Sequence, residues 1–328
     1  MATIKEVADL AGVSVATVSR VLNTPDAVRS ATRQKVEQAI EQLSYRPNYL
    51  GRTLRLMETK RILVAISTLS NQFFSRVVRG IEDRAREDDY SVLLCVTRGN
   101  PDNLLEYIKM LQTREVDGMI LTTRDLPENE ILSLSHDCAI VCACEPLRSK
   151  RIPLVAIDDE RASYDAVQFL LKQGKRRIAL FGAGKNFYSS ELREKGAKLA
   201  LAQAGLTPYC ICEEGYTYRA GARAVTSMLQ THGPALPDAI FAFSDSTAIG
   251  AINELYKRGI HVPRDLSVMG FDNTAISEMY IPTLTTVSQP QHTIGYQAMD
   301  MLIHQIKGQP YTKRYTVMHD IIYRESLQ

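Results

Sequence analysis

The stretch that most limits what this chain can fold into is Ala11-Gly12-Val13-Ser14-Val15-Ala16-Thr17-Val18-Ser19-Arg20-Val21-Leu22-Asn23. It has the pattern of one helix ending at a glycine and a second beginning two residues later. Thr3 and Glu6 have capping-box spacing, so a helix starts there and carries Ile4, Val7, Ala8 and Ala11 on one face. Gly12 supplies a residue free to take positive φ and end it. Ser14 caps the second helix, in which Val18, Val21 and Leu22 share a face while Val15, Ala16, Ser19 and Arg20 lie elsewhere on its surface. Such an outer face, small side chains plus one arginine, fits the major groove of DNA. There arginine pairs with guanine and a small apolar group meets a thymine methyl. Two short amphipathic helices joined at a glycine also occur as plain packing, and periodicity alone does not separate the two readings.

The following residues favour the first. Ser30 and Thr32 open a third helix, Ala31 to Leu43, with Val36, Ala39, Ile40 and Leu43 at core spacing, and Pro47 closes the unit. Residues 1 to 60 hold nine Lys and Arg against six Asp and Glu, whereas the remainder is nearly balanced. Only this end is basic, which suits a local contact with nucleic acid.

Thr3 to Asn23, with Val28, Thr32, Val36, Ala39, Leu43, Tyr45, Pro47 and the segment Asn48 to Leu56, resembles the DNA-binding headpiece of the LacI/GalR family of bacterial repressors. The resemblance implies that Val15, Ala16 and Arg20 read bases. Thr3, Ser14, Thr17, Ser19 and Asn23 are then expected mainly to hold phosphates and caps, which position without specifying sequence. It also implies that residues 48 to 56 form a hinge helix that orders on DNA and wedges Leu54 into a minor-groove step. Gly51 within that segment costs about 1 kcal/mol relative to alanine in a helix, so the hinge is expected to be disordered without DNA.

At 328 residues the chain is long enough for two or three domains. The expected division is a headpiece over 1–46, a hinge and linker over 47–60, and a core over 61–328. No apolar stretch approaches the roughly twenty residues that span a bilayer, and Met1 to Asp9 lacks the pattern of a signal peptide. A cytoplasmic protein without a membrane partner is therefore expected. Cys142 with Cys144, and Cys210 with Cys212, are spaced by two, so in strands each pair would face one side of a sheet. None has metal-site spacing, and buried free thiols are expected rather than zinc or disulfides.

From Arg61 onward, β-prone runs alternate with helical spacing: Ile62 to Ser67, Phe74 to Ala85, Ser91 to Val96, Leu104 to Gln112, Gly118 to Leu121 and Ala139 to Cys144. A second series follows from Asp159 to Phe271. This rhythm implies parallel sheets in two α/β lobes, with ligands at the carboxyl ends of the strands. Here the family resemblance continues, through Asp117-Gly118, Asp158, Ser244-Asp245, Gly270-Phe271-Asp272-Asn273, Gln289-Pro290 and Arg324-Glu325-Ser326. It implies a periplasmic-binding-protein-like core. The first lobe would span about 61–158 and 289–320 and the second about 159–288, and the chain would cross between them three times.

Carried over by these motifs, Phe73 and Phe74 match an aromatic pair that packs an effector ring, although core packing at a helix start is the competing reading. Arg193, Asp245 and Asp272 match positions that hold hydroxyls or ring atoms, and Ser189 and Tyr216 are further candidates. An arginine with carboxylates suits a sugar, polyol or nucleoside, because each hydroxyl both donates and accepts. For Asp272 the alternative is a structural cap after a strand. Phe187 stands where the purine-binding branch carries a basic residue, which disfavours a purine base. Phe73-Phe74 and Gln289-Pro290 are most similar to the cytidine-type branch and Val13 to Arg20 to the galactose-type, so the ligand stays open.

The loop Gly182-Ala183-Gly184-Lys185 is neither a dinucleotide fingerprint nor a phosphate loop. With no catalytic constellation either, the expected protein is not an enzyme and needs no cofactor or metal. The resemblance implies a homodimer on a near-palindromic operator, controlled by a small effector in the interlobe cleft, with no added heptad to make a tetramer.

Overall fold

The computed structural model describes residues 2–45, 58–184, 187–233 and 235–328, without the side chain of Asn23. The expected hinge over 48–56, with Gly51 and Leu54, lies outside the described residues. The chain divides into two compact units, Met1–Glu58 and Thr59–Gln328.

The first unit holds α1 (Ile4–Ala11), α2 (Val15–Asn23), a 3-10 turn (Pro25–Ala27) and α3 (Ser30–Gln42). The capping box is complete: the Thr3 amide donates to Glu6 Oε2 at 2.7 Å and the Glu6 amide to Thr3 Oγ1 at 3.3 Å. Gly12 ends α1 at φ 66, and Ser14 caps α2 by accepting from the Thr17 amide at 3.2 Å. Val7, Ala8, Val18, Val21, Val36 and Ala39 form the core, joined by partly buried Ile4, Ala11, Leu22, Ile40 and Leu43. The third helix, expected over Ala31 to Leu43, runs one residue earlier at each end, and no side chain caps its start.

The second unit has two six-stranded sheets. The first contains β1 (Arg61–Ile66), β2 (Ser91–Val96), β3 (Gly118–Leu121), β4 (Ile140–Ala143), β5 (Leu154–Ile157) and β11 (Arg314–Val317), in the order β11-β5-β4-β3-β1-β2 and all parallel. The second contains β6 (Ile178–Gly182), β7 (Ile211–Glu213), β8 (Ala239–Ala242), β9 (Ser267–Asp272), β10 (Thr285–Ser288) and β12 (Asp320–Ile322), in the order β12-β10-β9-β8-β6-β7. Only β12 is antiparallel to its neighbour. The chain thus passes between lobes near Asp158, near Gln289 and near His319, and the last residues end on the second sheet, where the Val268 amide donates to the Ser326 carbonyl.

Helices cover both faces of each sheet, so the central strands are buried on both sides. Along β1 the alternation is visible in the packing: Ile62, Val64 and Ile66 join one cluster, Leu63 and Ala65 the other. Each fully buried leucine or isoleucine of this kind contributes about 1.5–3 kcal/mol. On the first lobe, α4 (Gln72–Glu87) packs against α12 (Gln291–Ile306), close enough that a Cβ on Gly295 would lie 1.9 Å from the Val77 carbonyl oxygen. Cys142 and Cys144 do not share a face, contrary to their spacing. The strand ends at Ala143, and Cys144 at φ 71 turns toward the other cluster. Cys210 and Cys212 do pack against one cluster, all six cysteines are free, and no metal-binding group occurs among the described residues.

Candidate functional site

The outer face of α2 carries Val15 at 42% exposure with exposed Ala16 and Arg20, opposite buried Val18 and Val21. No acidic side chain lies within α2. Arg20 has no ion-pair partner among the described residues, so its guanidinium keeps all five donors for an outside acceptor. Ser14 and Thr17 share a side-chain hydrogen bond at 2.9 Å, and Ser19 is half-buried. Thr3 is occupied as a cap, while the Asn23 side chain and Leu54 lie outside the described residues.

In the second unit, parallel strands put the carboxyl end of every strand of a sheet at one edge, except antiparallel β12. After β6 comes α8 (Tyr188–Gln203), which carries Ser189 and Arg193 on its buried side. Arg193 Nε donates to Asp159 Oδ1 at 2.7 Å, and its Nη1 donates to the Phe243 carbonyl and lies 3.9 Å from Asp272 Oδ1. Its guanidinium sits 3.7 Å from the Phe271 ring centroid, a cation–π stack. Asp159 is the first residue of α7 (Asp159–Lys172), directly after the first crossover, and is 1% exposed. Burial works against the charge of Arg193, but Asp159, Tyr216 and Asp272 more than offset it, so the guanidinium stays protonated.

Three sequence candidates join this group. Tyr216 is half-buried, with its ring 5.7 Å from the Arg193 guanidinium, and its hydroxyl is 3.3 Å from Ser189 Oγ. Ser189 donates from its amide and its hydroxyl to the two oxygens of Glu145, at 3.0 and 2.7 Å. Glu145 follows β4 of the first lobe, so this pair ties the lobes together; burial raises its pKa, and the Ser189 donors oppose that. Asp272 sits at the end of β9 at φ 115, a backbone region that strains any residue but glycine. Its Oδ1 accepts from Gln289 Nε2 at 2.7 Å, and burial pushes its carboxyl well above the usual range.

Asp245 stands differently from the expectation. It is fully buried, Oδ2 accepts from the Thr274 amide and hydroxyl at 2.7 and 2.9 Å, and Oδ1 accepts from Thr286 Oγ1 at 2.6 Å. These three protein donors hold Asp245 in place within the core of the second lobe. Phe73 is 6% exposed and belongs to the core cluster, and half-buried Phe74 meets it edge-on at 5.5 Å. They lie past the end of β1, with Phe74 the more open of the two. Sequence reasoning missed Asp159, Glu145 and Phe271. The available signal was position, since the first two directly follow a strand.

Comparison with known proteins places both units. The family described as "Bacterial regulatory proteins, lacI family" matches residues 3–48, and a "Periplasmic binding protein-like domain" matches residues 167–327. The HTH-type transcriptional repressor CytR of Escherichia coli strain K12 is 36% identical over 313 residues, covering 94% of this chain and 91% of that protein. Catabolite control protein A of Priestia megaterium is 38% identical over 304 residues, covering 92% of this chain and 91% of that one. The crystal structure of the Lac repressor dimer bound to operator and an anti-inducer superposes with a TM-score of 0.89 at 27% identity, covering 100% of this chain and 99% of that chain.

Proposed function

Because the chain belongs to the lacI family of bacterial regulatory proteins, and so is a DNA-binding transcriptional regulator rather than an enzyme, we propose that it is a cytoplasmic repressor that binds a near-palindromic operator as a homodimer. The observation that carries the DNA half is the outer face of α2, where Val15, Ala16 and Arg20 are exposed and Arg20 has no ion-pair partner among the described residues. Arg20 reads a base and the Ser14, Thr17 and Ser19 hydroxyls sit where they can meet phosphates. Two such helices related by a dyad reach successive major grooves. No helix among the described residues is long and apolar enough to cross a membrane.

The cleft between lobes is the effector site, built on Arg193, Asp272, Ser189 and Tyr216 with Phe74 on the facing lobe. The Glu145–Ser189 pair and the ion pair of Arg148 with Glu191 at 3.1 Å both cross this cleft. A ligand that competes for Ser189 or Arg193 changes which cross-lobe contacts persist, and with them the angle of the first lobe, from which residues 46–57 lead to the headpiece. Differential affinity for two lobe arrangements is what allows a ligand to change operator affinity.

The test of the DNA half is selection from random duplexes with the full chain. A recovered near-palindrome with two half-sites about one helical turn apart supports it. Enrichment of unrelated or single half-sites contradicts it. For the effector half, a thermal-shift screen of sugars, nucleosides and bases should give at least one stabilising ligand.

A further inference from the structure

Two thiols of the second lobe face each other. Cys212 lies in β7, the strand at the edge of its sheet, and Cys210 stands directly before that strand. Both pack against the apolar cluster that holds Val225 and Met228, and their side chains share a hydrogen bond. Cys210 is half-buried and Cys212 is 8% exposed. The Cys210 thiol donates, which holds Cys212 below the usual thiol range although burial opposes it. The other cysteines differ: burial raises Cys95, Cys138 and Cys144, and pushes Cys142 up to about 12.

Two residues of extended strand span about 6.6 Å, near the upper end of the Cα separations that a disulfide bridges. Closing one here contracts the strand, and a strained disulfide is readily reduced again, as regulatory ones in a reducing compartment are. The strand is tied on both sides of the pair. The Leu180 amide donates to the Cys210 carbonyl at 2.9 Å, and the Glu214 and Gly215 amides both donate to the Gly182 carbonyl at 3.1 Å. Tyr216 follows at once.

We propose that Cys210 and Cys212 are a reversible dithiol–disulfide site, oxidised by a peroxide, whose closure strains the strand that leads to Tyr216. The Cys212 thiolate attacks one peroxide oxygen, the O–O bond breaks, and the departing hydroxide takes up the proton that Cys212 gave up. Cys212 is then a sulfenic acid. The Cys210 sulfur attacks the Cys212 sulfur, the S–S bond forms as the S–O bond breaks, and the Cys210 proton leaves with that oxygen as water. Two thiols are oxidised and one peroxide becomes two waters. The pair lies apart from the charged groups of the cleft, so the site does not depend on the effector reading.

The experiment treats the folded full chain with hydrogen peroxide, blocks remaining thiols with iodoacetamide and maps the tryptic peptides by mass. Cleavage after Lys198 and Arg219 puts both cysteines in one peptide, 199–219, that holds no other cysteine. That peptide is expected unalkylated and lighter by two hydrogens, and dithiothreitol before blocking should return it doubly alkylated. The oxidised chain should melt about 2 °C or more away from the reduced one. In Cys210→Ser the disulfide and this shift should be lost, and dimedone should trap a sulfenic acid on Cys212. Both cysteines alkylated after peroxide, or either one linked to a different peptide, overturns the site. A disulfide that leaves the melting temperature unmoved overturns its effect on the strand. Should the variant not fold, the peptide map of the unaltered chain still decides.

Discussion

Arg193 Nε donates to Asp159 Oδ1 at 2.7 Å, linking the helix after the first strand of the second lobe to the residue where the chain enters that lobe. Both side chains are nearly inaccessible, at 6% and 1%. The pair therefore belongs to the stability of the core as well as to its ligand chemistry.

Removing the cation exposes this double role. Arg193→Ala leaves Asp159 and Asp272 buried without compensation, and breaking a buried pair on one side costs about 3–5 kcal/mol. Urea unfolding should show that loss, and adding Asp159→Asn should recover part of it. From sequence alone, Arg193→Ala is a clean loss of ligand response, and equal stability of variant and parent would favour that simpler role.

The core should be most stable in mild acid. Burial pushes Asp245 up from 3.8 to about 6, with the Thr286 and Thr274 donors opposing it. A carboxyl with a raised folded-state pKa contributes stability below its unfolded pKa of about 4 and loses it as pH rises through about 6, worth about 3 kcal/mol. Glu145, Asp159 and Asp272 are raised as well and act with the same sign. Exposed pairs run the other way: Asp265, held down to about 2 by Arg264, loses its contribution only in strong acid. Melting temperature should thus rise as pH falls from 8 to 5, and the slope should flatten in Asp245→Asn. A melting temperature that climbs from pH 5 to 8 would contradict the assignment.

Gly295→Ala should separate α4 from α12. Its Cβ would lie 1.9 Å from the Val77 carbonyl, and a Cβ on Gly80 would lie 2.1 Å from the His292 carbonyl oxygen on the opposite side. Backbone cannot yield as a flexible side chain does, so a loss at or above the usual 1–3 kcal/mol of overpacking, about 3 kcal/mol, is expected. Calorimetric melting of the variant reads it directly.

Arg20→Ala should relax base preference. Losing one good bidentate contact removes about 1–3 kcal/mol of discrimination while leaving binding to random duplex nearly unchanged. Competition between the selected operator and random DNA measures this ratio. An unaltered ratio would remove Arg20 from base reading.

How much of this was legible depends on the range of the interaction. The headpiece could be read because Thr3 and Glu6, or Ser14 and Thr17, are three residues apart and settle their geometry locally. Strand β2 could be read from its run of apolar residues at Ser91–Val96. The partners of Asp245 could not be read, because its donors Thr274 and Thr286 lie 29 and 41 residues away. Helix α7 begins at Asp159 because Asp158, just past a strand end, caps it by accepting from the Arg161 amide. Strands β11 and β12 are short and partly exposed, so no alternation announces that they pair with different lobes.

A ligand in the cleft is expected to change affinity for the operator. This is tested most directly by titrating the selected, fluorescently labelled operator with the full chain, with and without saturating amounts of a ligand that stabilises the core. Operator affinity is expected to change about fivefold or more, with affinity for random duplex unmoved. Identical operator affinity in the two titrations would contradict it.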